Sequence, residues 1–364
     1  MRRHHFEALK PVCPRCRLQR QQDTPLVLQT VLREEGDTVY EGVIHCPDPD
    51  CLLEYPIIDG IPLLLPDVRS YLADNLNYLV ARDDLSATIE TMLGDGAGPG
   101  TVFDTSRQHL STYAWDSYGD LDPEEEYPTG AHEPPGAIVR CLDTGLELLS
   151  QSVAPPVIDV GCAVGRTTFE LAAKSDGLVL GVDVNFSMLK LAAGVLGKSR
   201  VSYPRRRIGV VYDRRDFAVS FPGADKVDFW ACDALAPPFA DGSFRFALGL
   251  NLLDCVTSPH GLLQSIGRIL QPGGQTLLST PYDWSQATTP MEAWLGGHSQ
   301  RGPGDGAAEP LLRSLLTPGQ HPQSVESLRI AGEIEDVPWH ARVHERSNVS
   351  YSVHIVAAEA TETT

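Results

Sequence analysis

The sequence has no long apolar run and few basic residues. No hydrophobic segment approaches the ~20 residues that a membrane-spanning helix requires, and residues 1–13 carry charges but no apolar signal core. Lys and Arg number 29 against 48 Asp and Glu, a formal net charge of −19. We therefore expect a cytoplasmic protein without membrane contact. A nucleic-acid partner is disfavoured, because such binding normally leaves a basic footprint.

Residues 157–172, VIDVGCAVGRTTFELA, place a short apolar strand before a glycine-rich turn and a helix. Asp159 stands at the strand end, and Gly161 and Gly165 let the backbone bend and approach a ligand closely. The turn lacks the G-x-G-x-x-G of a dinucleotide site, so it requires no diphosphate. Taken alone, it is either a nucleotide-type cofactor site or an ordinary strand-to-helix corner.

Strands and helices alternate beyond this turn. A buried strand at residues 177–184 ends in Asp183, whose carboxylate can accept both ribose hydroxyls of an adenosine. Further strands are predicted at residues 227–232, 244–251 and 275–280. A helix at residues 258–270 stops at the sequence QPGG. This alternation predicts a mostly parallel sheet with ligands at the carboxyl ends of its strands.

These elements resemble, over roughly residues 155–358, the Rossmann-like methyltransferases that depend on S-adenosylmethionine. The resemblance implies an α/β fold with a mostly parallel seven-stranded sheet, and S-adenosylmethionine as cofactor. The implied donor-binding residues are Asp159, Gly161, Ala163 and Gly165 at the methionine and ribose end, Asp183 and Val184 at the ribose hydroxyls, Asp233 and Ala234 at the adenine, and Asn251 and Leu252 facing the sulfonium. Instead of contacting the adenine, Asp233 could be a helix cap or turn residue.

A closer resemblance rests on four phrases: DVGCAVGRTTFELA, NLLDCVTSP, STPYDWSQATTPMEAWLGG and DVPWHARVHERSNVSYSVHIVAA. Together they resemble the methyltransferases that N-methylate 4-mercaptohistidine in ovothiol synthesis. The resemblance implies a small acceptor of the thiol-imidazole, seleno-imidazole or related heteroaromatic kind. A neutral imidazole nitrogen, whose conjugate acid has a pKa of ~6.5, is already nucleophilic near neutral pH.

Three residues are candidates for aiming that nitrogen at the methyl group. Asp254 follows the fourth of these strands and could accept an N–H or steer an ammonium group, or it could instead cap the next helix. Tyr282 and Trp284 follow the fifth and could form an aromatic wall, or they could belong to the core. Trp294, in WLGG, is a candidate lid residue because two glycines permit a sharp turn.

The eight cysteines fall into two groups. Cys13 and Cys16 form a tight knuckle, and Cys46 and Cys51 follow about thirty residues later, which fits a structural four-thiolate zinc site. The wider second spacing leaves His45 as an alternative ligand, and unpaired thiols as the alternative to a metal. The others are expected to be reduced core residues: Cys141, Cys162, Cys232 and Cys255.

Residues 55–66, YPIIDGIPLLLP, resemble the hydrophobic docking segment of small zinc-ribbon proteins that activate tRNA, ribosomal and release-factor methyltransferases. Three regions are therefore predicted: a zinc ribbon at residues 1–66, an acidic helical linker and possible lid at residues 67–150, and the methyltransferase domain at residues 151–364. The linker carries 16 acidic and 4 basic residues, which is typical of a solvated surface.

Within the linker, a helix is predicted over residues 68–93, followed by a Gly/Pro-rich break at residues 94–100. The aromatic stretch at residues 112–128 either belongs to the solvated surface or covers the donor or acceptor pocket. A basic cluster at residues 198–216, with seven Lys or Arg and two Asp, is either an exposed insertion or a site for an anionic acceptor.

The favoured function is N-methylation of a small molecule. One alternative is a zinc-ribbon methyltransferase acting on rRNA or tRNA, but residues 1–66 carry a net charge of −3, which disfavours an RNA-binding ribbon. Another is a non-catalytic, methyltransferase-like partner subunit, which the intact Asp159, Gly161, Gly165 and Asp183 disfavour.

Overall fold

The computed structural model describes residues 1–125 and 134–361. The helices are α1 Arg3–Leu9, α2 Pro14–Arg20, α3 Val68–Leu79, α4 Ala87–Ala97, α5 Val102–Tyr118, α6 Ala137–Leu146, α7 Arg166–Lys174, α8 Phe186–Lys198, α9 Pro259–Ile269 and α10 Glu309–Leu315. The strands are β1 Val27–Glu35, β2 Thr38–His45, β3 Glu54–Ile58, β4 Ile61–Leu64, β5 Val157–Val160, β6 Val179–Asp183, β7 Arg200–Ile208, β8 Val211–Ala218, β9 Val227–Cys232, β10 Phe244–Gly249, β11 Leu270–Thr280, β12 Leu328–His344 and β13 Ser347–Ala360.

One mixed sheet of eleven strands runs through the molecule, in the order β1-β2-β3-β4-β9-β6-β5-β10-β11-β13-β12. The six strands from β4 to β11 are parallel to one another. The strands at both ends of the sheet are antiparallel. The middle strands β5, β6 and β9 are almost wholly buried, as expected when helices cover both faces of a parallel sheet.

The predicted mostly parallel, seven-stranded sheet is therefore wrong in its strand number and in its strand direction, since five of the ten strand pairings are antiparallel. Seven strands from residues 157–360 do lie side by side, but four more from the N-terminal region extend the same sheet. The junction is a parallel pairing of β4 with β9, in which Leu63 lies opposite Ala231 and Leu64 opposite Cys232. A short apolar strand such as β4 does not reveal its partner in the sequence, so the continuity of residues 1–66 with this sheet is visible only in the structure.

The segment at residues 55–66 forms a hairpin rather than a single extended stretch. β3 and β4 pair antiparallel around Asp59 and Gly60, with Ile58 opposite Ile61. Both turn residues have positive φ, 51° and 82°, as a two-residue type I′ hairpin requires. The four residues of β4 are all buried. The boundaries proposed at residues 66 and 150 remain predictions.

The predicted strands at residues 157–160, 177–184, 227–232 and 244–251 are confirmed as β5, β6, β9 and β10. The predicted helix at residues 258–270 is α9, whose first turn is capped by Ser258 Oγ, which accepts a hydrogen bond from the Gly261 amide at 3.1 Å. β11 begins earlier than expected. Its pairing with β10 jumps from Leu270 to Gln275, so the QPGG segment bulges out of the ladder instead of separating helix from strand.

The predicted single helix at residues 68–93 is wrong, because the structure has α3 and α4 with a break between them. Arg82 forms a bidentate ion pair with Asp84 in this break, at 2.7 and 2.8 Å. Ser86 then caps α4 through a hydrogen bond from the Ile89 amide. α4 continues through Gly94 and ends at Ala97, so the Gly/Pro-rich break begins four residues later than expected.

The basic cluster at residues 198–216 is a separate two-stranded hairpin, β7–β8. Its arginines pair with carboxylates of the acidic linker. Arg215 binds Asp122 at 2.6 Å and Arg205 binds Glu125 at 2.6 Å, while Arg214 binds Glu90. These ion pairs offset much of the positive charge of the cluster within the chain. Among the described residues, no helix is long and apolar enough to cross a membrane.

Candidate active site

The turn between β5 and α7 forms the floor of the candidate site. Gly161 and Gly165 adopt φ of 74° and 88°, in the left-handed region that favours glycine. A Cβ on Gly165 would come within 2.7 Å of the Phe229 ring and 2.8 Å of Ala192 Cβ. Glycine is therefore required here both by the backbone and by the close packing of α8 and β9 against the turn.

Asp159 ties the end of β5 to the first turn of α7. Its Oδ2 accepts hydrogen bonds from the hydroxyls of Thr167 and Thr168, at 2.7 and 2.6 Å. Burial raises the pKa of Asp159 to about 6, although the two hydroxyl groups act in the opposite direction. This carboxyl group thus fixes the turn while it faces the cavity above the turn.

Asp183 lies at the end of β6, beside β5 in the sheet. Its Oδ2 accepts the Ala163 amide at 2.9 Å and its Oδ1 accepts the Asn185 amide at 2.8 Å. Burial raises the pKa of Asp183 above its ordinary value. Each carboxylate oxygen keeps unused lone pairs, so this group can accept two further hydrogen bonds from vicinal hydroxyls.

The next two strands bring their ends to the same edge. Asp233 follows β9, and its Oδ1 accepts the Leu235 amide at 2.9 Å, so it is a turn residue and also lines the cavity. Asn251 follows β10 with φ of 49°. Its backbone N–H donates to Ser279 Oγ, and the Ser279 hydroxyl donates to Asn251 Oδ1. Carboxyl ends of parallel strands converge in this way at ligand sites of open α/β sheets.

These strand ends border one cavity of about 640 Å³, within the size range of small-molecule sites, roughly 300–1,000 Å³. Gly165 lies beneath it and is not part of its lining. Tyr282 and Trp284 also lie outside the described lining, although Pro281 and Asp283 belong to it. The residues predicted from the sequence that line it are Asp159, Gly161, Ala163, Asp183, Val184, Asp233, Ala234, Asn251, Leu252 and Asp254.

Helix α5 and the β12–β13 pair contribute residues that the sequence analysis missed. Tyr113 and Asp116 of α5 line the cavity, with Trp339 of β12 and Tyr351 of β13. The Trp339 indole donates to Asp116 Oδ2 at 2.8 Å, which holds these elements together. The aromatic stretch therefore does cover the pocket in its described part. Residues 126–128 of that stretch lie outside the described residues.

Asp254 lines the cavity three residues after Asn251 at the end of β10. Its Oδ2 accepts the Asp283 amide at 2.8 Å, while its buried Oδ1 has no hydrogen-bond partner among the described residues. Burial raises the pKa of Asp254, and burial beside Asp283 raises the pKa of Tyr351 to about 12. Asp254 thus lines the cavity together with Tyr113 and Tyr351, and its Oδ1 is buried without a partner among the described residues, a setting suited to a ligand N–H or cation.

Tyr282 is directed away from the cavity. Its hydroxyl lies 2.7 Å from His354 Nδ1, and His354 Nε2 lies 3.0 Å from Glu333. Trp284 stacks on Trp294, with ring centroids 6.2 Å apart and an interplanar angle of 14°. These residues support the loop that carries Pro281 and Asp283, so any effect of Tyr282 or Trp284 on an acceptor would pass through that loop.

The N-terminal cysteines form a compact cluster. The sulfur atoms of Cys13, Cys16, Cys46 and Cys51 all lie within 4.8 Å of one another. The Cys13–Cys51 and Cys16–Cys46 pairs are 3.9 and 3.6 Å apart, close to the about 3.8 Å that a tetrahedral centre with Zn–S bonds of ~2.3 Å requires. His45 is not part of the cluster. The donor set therefore fits a four-thiolate zinc ion.

Two neighbouring side chains orient these thiols. Arg20 donates to Cys16 Sγ at 2.7 Å, and the Tyr55 hydroxyl lies 3.1 Å from Cys13 Sγ. A zinc ion with four thiolates carries a net charge of about −2, which a guanidinium and a hydroxyl donor would offset as outer-shell partners.

Residues 158–278 match the family model described as a methyltransferase domain. This segment contains the β5–α7 turn, Asp183, Asp233 and the end of β10. The chain thus carries a Rossmann-like domain of the class of methyltransferases that depend on S-adenosylmethionine.

Known relatives share this domain. A methyltransferase named GfsG from Streptomyces halstedii is 24% identical over 197 residues, covering 51% of this chain and 63% of its own length. An ajmaline N-methyltransferase from Rauvolfia serpentina is 22% identical over 186 residues, covering 50% of this chain and 54% of its own length. A solved methyltransferase structure from Methanosarcina mazei has a TM-score of 0.39 at 19% identity, covering 60% of this chain and 96% of that one.

The chain spans less than two thirds of the length of these two curated relatives. The matched relatives include O-methyltransferases as well as N-methyltransferases. The comparisons thus support the domain class without specifying an acceptor.

The raised pKa of Asp159 gives a pH-dependence of stability. Its pKa of about 6 in the folded state exceeds the ordinary 3.8, so the folded state holds this proton more tightly than the unfolded state does. The stability that the bound proton contributes is therefore lost as the pH rises through the folded-state pKa. Asp159→Asn cannot ionise. The free energy of unfolding of Asp159→Asn should therefore rise relative to that of the wild type by up to about 3 kcal/mol as the pH goes from ~4 to ~6. Urea unfolding of the ligand-free protein measures this difference.

The same substitution at the exposed Asp176 is the control and should show no such pH-dependent gain. A stability difference between Asp159→Asn and the wild type that stayed constant from pH 4 to pH 7 would contradict the assignment of a raised pKa to this carboxyl group.

Proposed function

We propose that the protein transfers a methyl group from S-adenosylmethionine to a nitrogen of a small thiol- or seleno-imidazole acceptor related to mercaptohistidine. One observation carries the proposal. The same cavity is lined by the carboxylates at the ends of β5, β6 and β9 and by Asp254, Tyr113 and Tyr351. Donor and acceptor can therefore meet inside one enclosure.

The charge of the cavity supports a cationic donor. Six carboxyl groups line it against one guanidinium, that of Arg166, and the imidazole of His109; the carboxyl groups belong to Asp116, Asp159, Asp183, Asp233, Asp254 and Asp283. S-adenosylmethionine carries a sulfonium and an ammonium group, so this lining attracts it. The same lining repels the phosphates of RNA, which normally require basic partners.

The residues around the turn would hold the donor, with Asp183 on the ribose and Asp233 at the adenine. When bound, the sulfonium supplies an electrophilic methyl group, so the protein has to deliver a nucleophile in line with it. Asp254 would accept the N–H of the acceptor ring and so fix which nitrogen carries the lone pair. Tyr113 and Tyr351 would restrict the orientation of the ring, and orientation can contribute about 7–11 kcal/mol to such a reaction.

Donor binding can be tested with S-adenosylhomocysteine. Asp183→Ala removes two hydrogen bonds to the ribose and should weaken binding by about 2–3 kcal/mol, about 30- to 150-fold in Kd. Calorimetry should show this loss, together with a smaller ligand-induced rise in Tm.

Asp176→Ala, an exposed carboxylate on the same stretch of chain, is the matched control and should bind like the wild type. An unchanged affinity in Asp183→Ala would remove the ribose assignment. A wild type that did not bind S-adenosylhomocysteine would instead favour the non-catalytic partner subunit.

Acceptor use can be tested with labelled S-adenosylmethionine. A mercaptohistidine-type amino acid should become labelled, and bulk tRNA and rRNA should not. Asp254→Asn should lower kcat at least about tenfold with the Kd of S-adenosylhomocysteine nearly unchanged, because Asp254 acts on the orientation of the nucleophile. Tyr282→Phe should have a smaller effect, since Tyr282 reaches the cavity only through its loop.

Asp74→Asn, an exposed substitution on α3, is the control and should leave both constants unchanged. Strong labelling of RNA, with a steep loss of rate as salt rises, would contradict the proposal and favour the zinc-ribbon RNA methyltransferase. Equal kcat in Asp254→Asn and wild type would remove Asp254 from the acceptor site.

We further propose that Cys13, Cys16, Cys46 and Cys51 bind one structural zinc ion. The support is the thiol geometry together with the pairing of β4 and β9, which places the ribbon on the edge of the methyltransferase sheet. Zinc would fold the segment that supplies β4. Loss of the zinc ion should therefore lower the stability of the chain beyond residues 1–66 as well.

Metal analysis should find about one zinc per chain, and Cys46→Ser should lose it. All five tryptophans lie outside residues 1–66, so their fluorescence reports on the remainder of the chain. We expect Cys46→Ser to lower the unfolding midpoint measured by this fluorescence. Cys141→Ser, a buried cysteine of α6 outside the cluster, should keep its zinc; full zinc retention in Cys46→Ser would contradict the ligand set.

A further inference from the structure

A second cavity, of about 720 Å³, lies beside the candidate active site. It is enclosed by the α3–α4 segment, α5, α8 and the β7–β8 hairpin. Its described lining residues are all different from those of the first cavity. The two cavities nevertheless share α5 and α8 as walls. Tyr113 of α5 and Met188 of α8 line the first cavity, whereas Leu110 of α5 and Lys190 of α8 line the second.

Arg107 projects into this second cavity from α5 with only 5% of its surface exposed. Its guanidinium lies 3.9 Å from the Tyr212 ring centroid and 5.4 Å from that of Phe103. Its buried Nε has no hydrogen-bond partner among the described residues, and the Glu90 carboxylate lies 3.5 Å away. A buried guanidinium N–H without a hydrogen-bond acceptor is costly, and here the nearest carboxylate oxygen, Glu90 Oε1, stands 3.5 Å from this Nε, so the position favours a further acceptor.

The surrounding charges leave an excess of positive charge. Glu90 pairs with Arg214 and also lies beside Arg107, so one carboxylate faces two guanidinium groups. The described lining holds six Lys or Arg against four Asp or Glu, and one of the six, Lys190, also pairs with Asp59 at 3.2 Å outside the lining. This positive excess stands in a chain with a net charge of −19. An anion would therefore be attracted to this cavity and repelled by the acidic first cavity.

The cavity also has an apolar wall, to which Phe103, Leu110 and Leu191 contribute. A hydrated inorganic ion would not use this surface. An organic anion would, because its apolar body can displace water there while its charged end meets the arginines.

We propose that the second cavity binds a small organic anion, a phosphate monoester or a carboxylate, whose charged group is held by the planar edge of Arg107. Arginine suits this role because its fork of N–H donors matches both oxyanions. Glu90 competes with the ligand for the same two guanidinium groups. Because the two cavities have separate linings, the anion and the methyl donor bind to the chain at the same time.

The test uses calorimetry on the full chain with three probes of similar body: phenyl phosphate, phenylacetate and benzyl alcohol. At least one anion should bind at one site per chain, and benzyl alcohol should bind at least tenfold more weakly. The stoichiometry should stay at one when S-adenosylhomocysteine saturates the first cavity. The stronger of the two anions identifies the oxyanion for which the cavity is suited.

Three variants locate the site. Arg107→Met should weaken binding of the preferred anion at least tenfold, and Arg107→Lys should weaken it less. Glu90→Gln should tighten binding several-fold, a gain that a purely structural role for these residues would not produce. The exposed Arg346→Met is the control and should bind like the wild type.

If Arg107→Met does not fold, Glu90→Gln and Arg214→Met decide the question, since Arg214 is partly exposed and its loss should weaken binding. The proposal is overturned if neither anion binds saturably to the wild type, if S-adenosylhomocysteine displaces the anion, or if Glu90→Gln leaves the affinity unchanged or weaker.

Discussion

The parallel pairing of β4 with β9 is the contact on which the rest of this structure depends. Leu63 and Leu64 are fully buried beside Ala231 and Cys232, so β4 closes what would otherwise be an open edge of the methyltransferase sheet. β9 is held on its other side by β6, and it leads directly into Asp233 at the cavity. The cysteine cluster, the sheet edge and the candidate donor site are therefore connected through one strand. Residues 1–66 and the cavity are thus joined by a continuous path of strand pairing through β4 and β9.

Much of the donor half of the site could be predicted from the sequence, because each of its residues follows a short, continuous apolar strand. β5, β6 and β9 end within a residue or two of the predicted positions, and the carboxyl ends of parallel strands converge whatever the rest of the chain does. The acceptor half could not be predicted in the same way. Tyr113 lies more than 200 residues before Trp339 and Tyr351 in the sequence, and only the closed fold brings them together. β12 and β13 alternate exposed and buried residues irregularly, so their pattern gives little signal.

Charged side chains of the acidic linker and of the β7–β8 hairpin form ion pairs with each other instead of standing free in solvent. The acidic linker has the composition of a free surface, yet Asp122, Glu90 and Glu125 bind arginines of the β7–β8 hairpin. Two segments of opposite sign, far apart in sequence, thus neutralise each other and hold α4, α5 and the hairpin together. The pairing offsets much of the positive charge of the main basic cluster. Much of the net negative charge is left elsewhere, including the six carboxyl groups that face the first cavity.

Those carboxyl groups link stability to ligand preference. Burial raises the pKa of Asp159, Asp183 and Asp254, because each would be charged in a poorly solvated place with few compensating donors. This is a cost to the folded, ligand-free protein near neutral pH. A cation entering the cavity removes part of that cost, whereas an anion increases it. The same feature that makes the empty site unfavourable therefore selects positively charged and N–H-bearing ligands, whereas the described lining of the second cavity, with six Lys or Arg against four Asp or Glu, has the opposite balance.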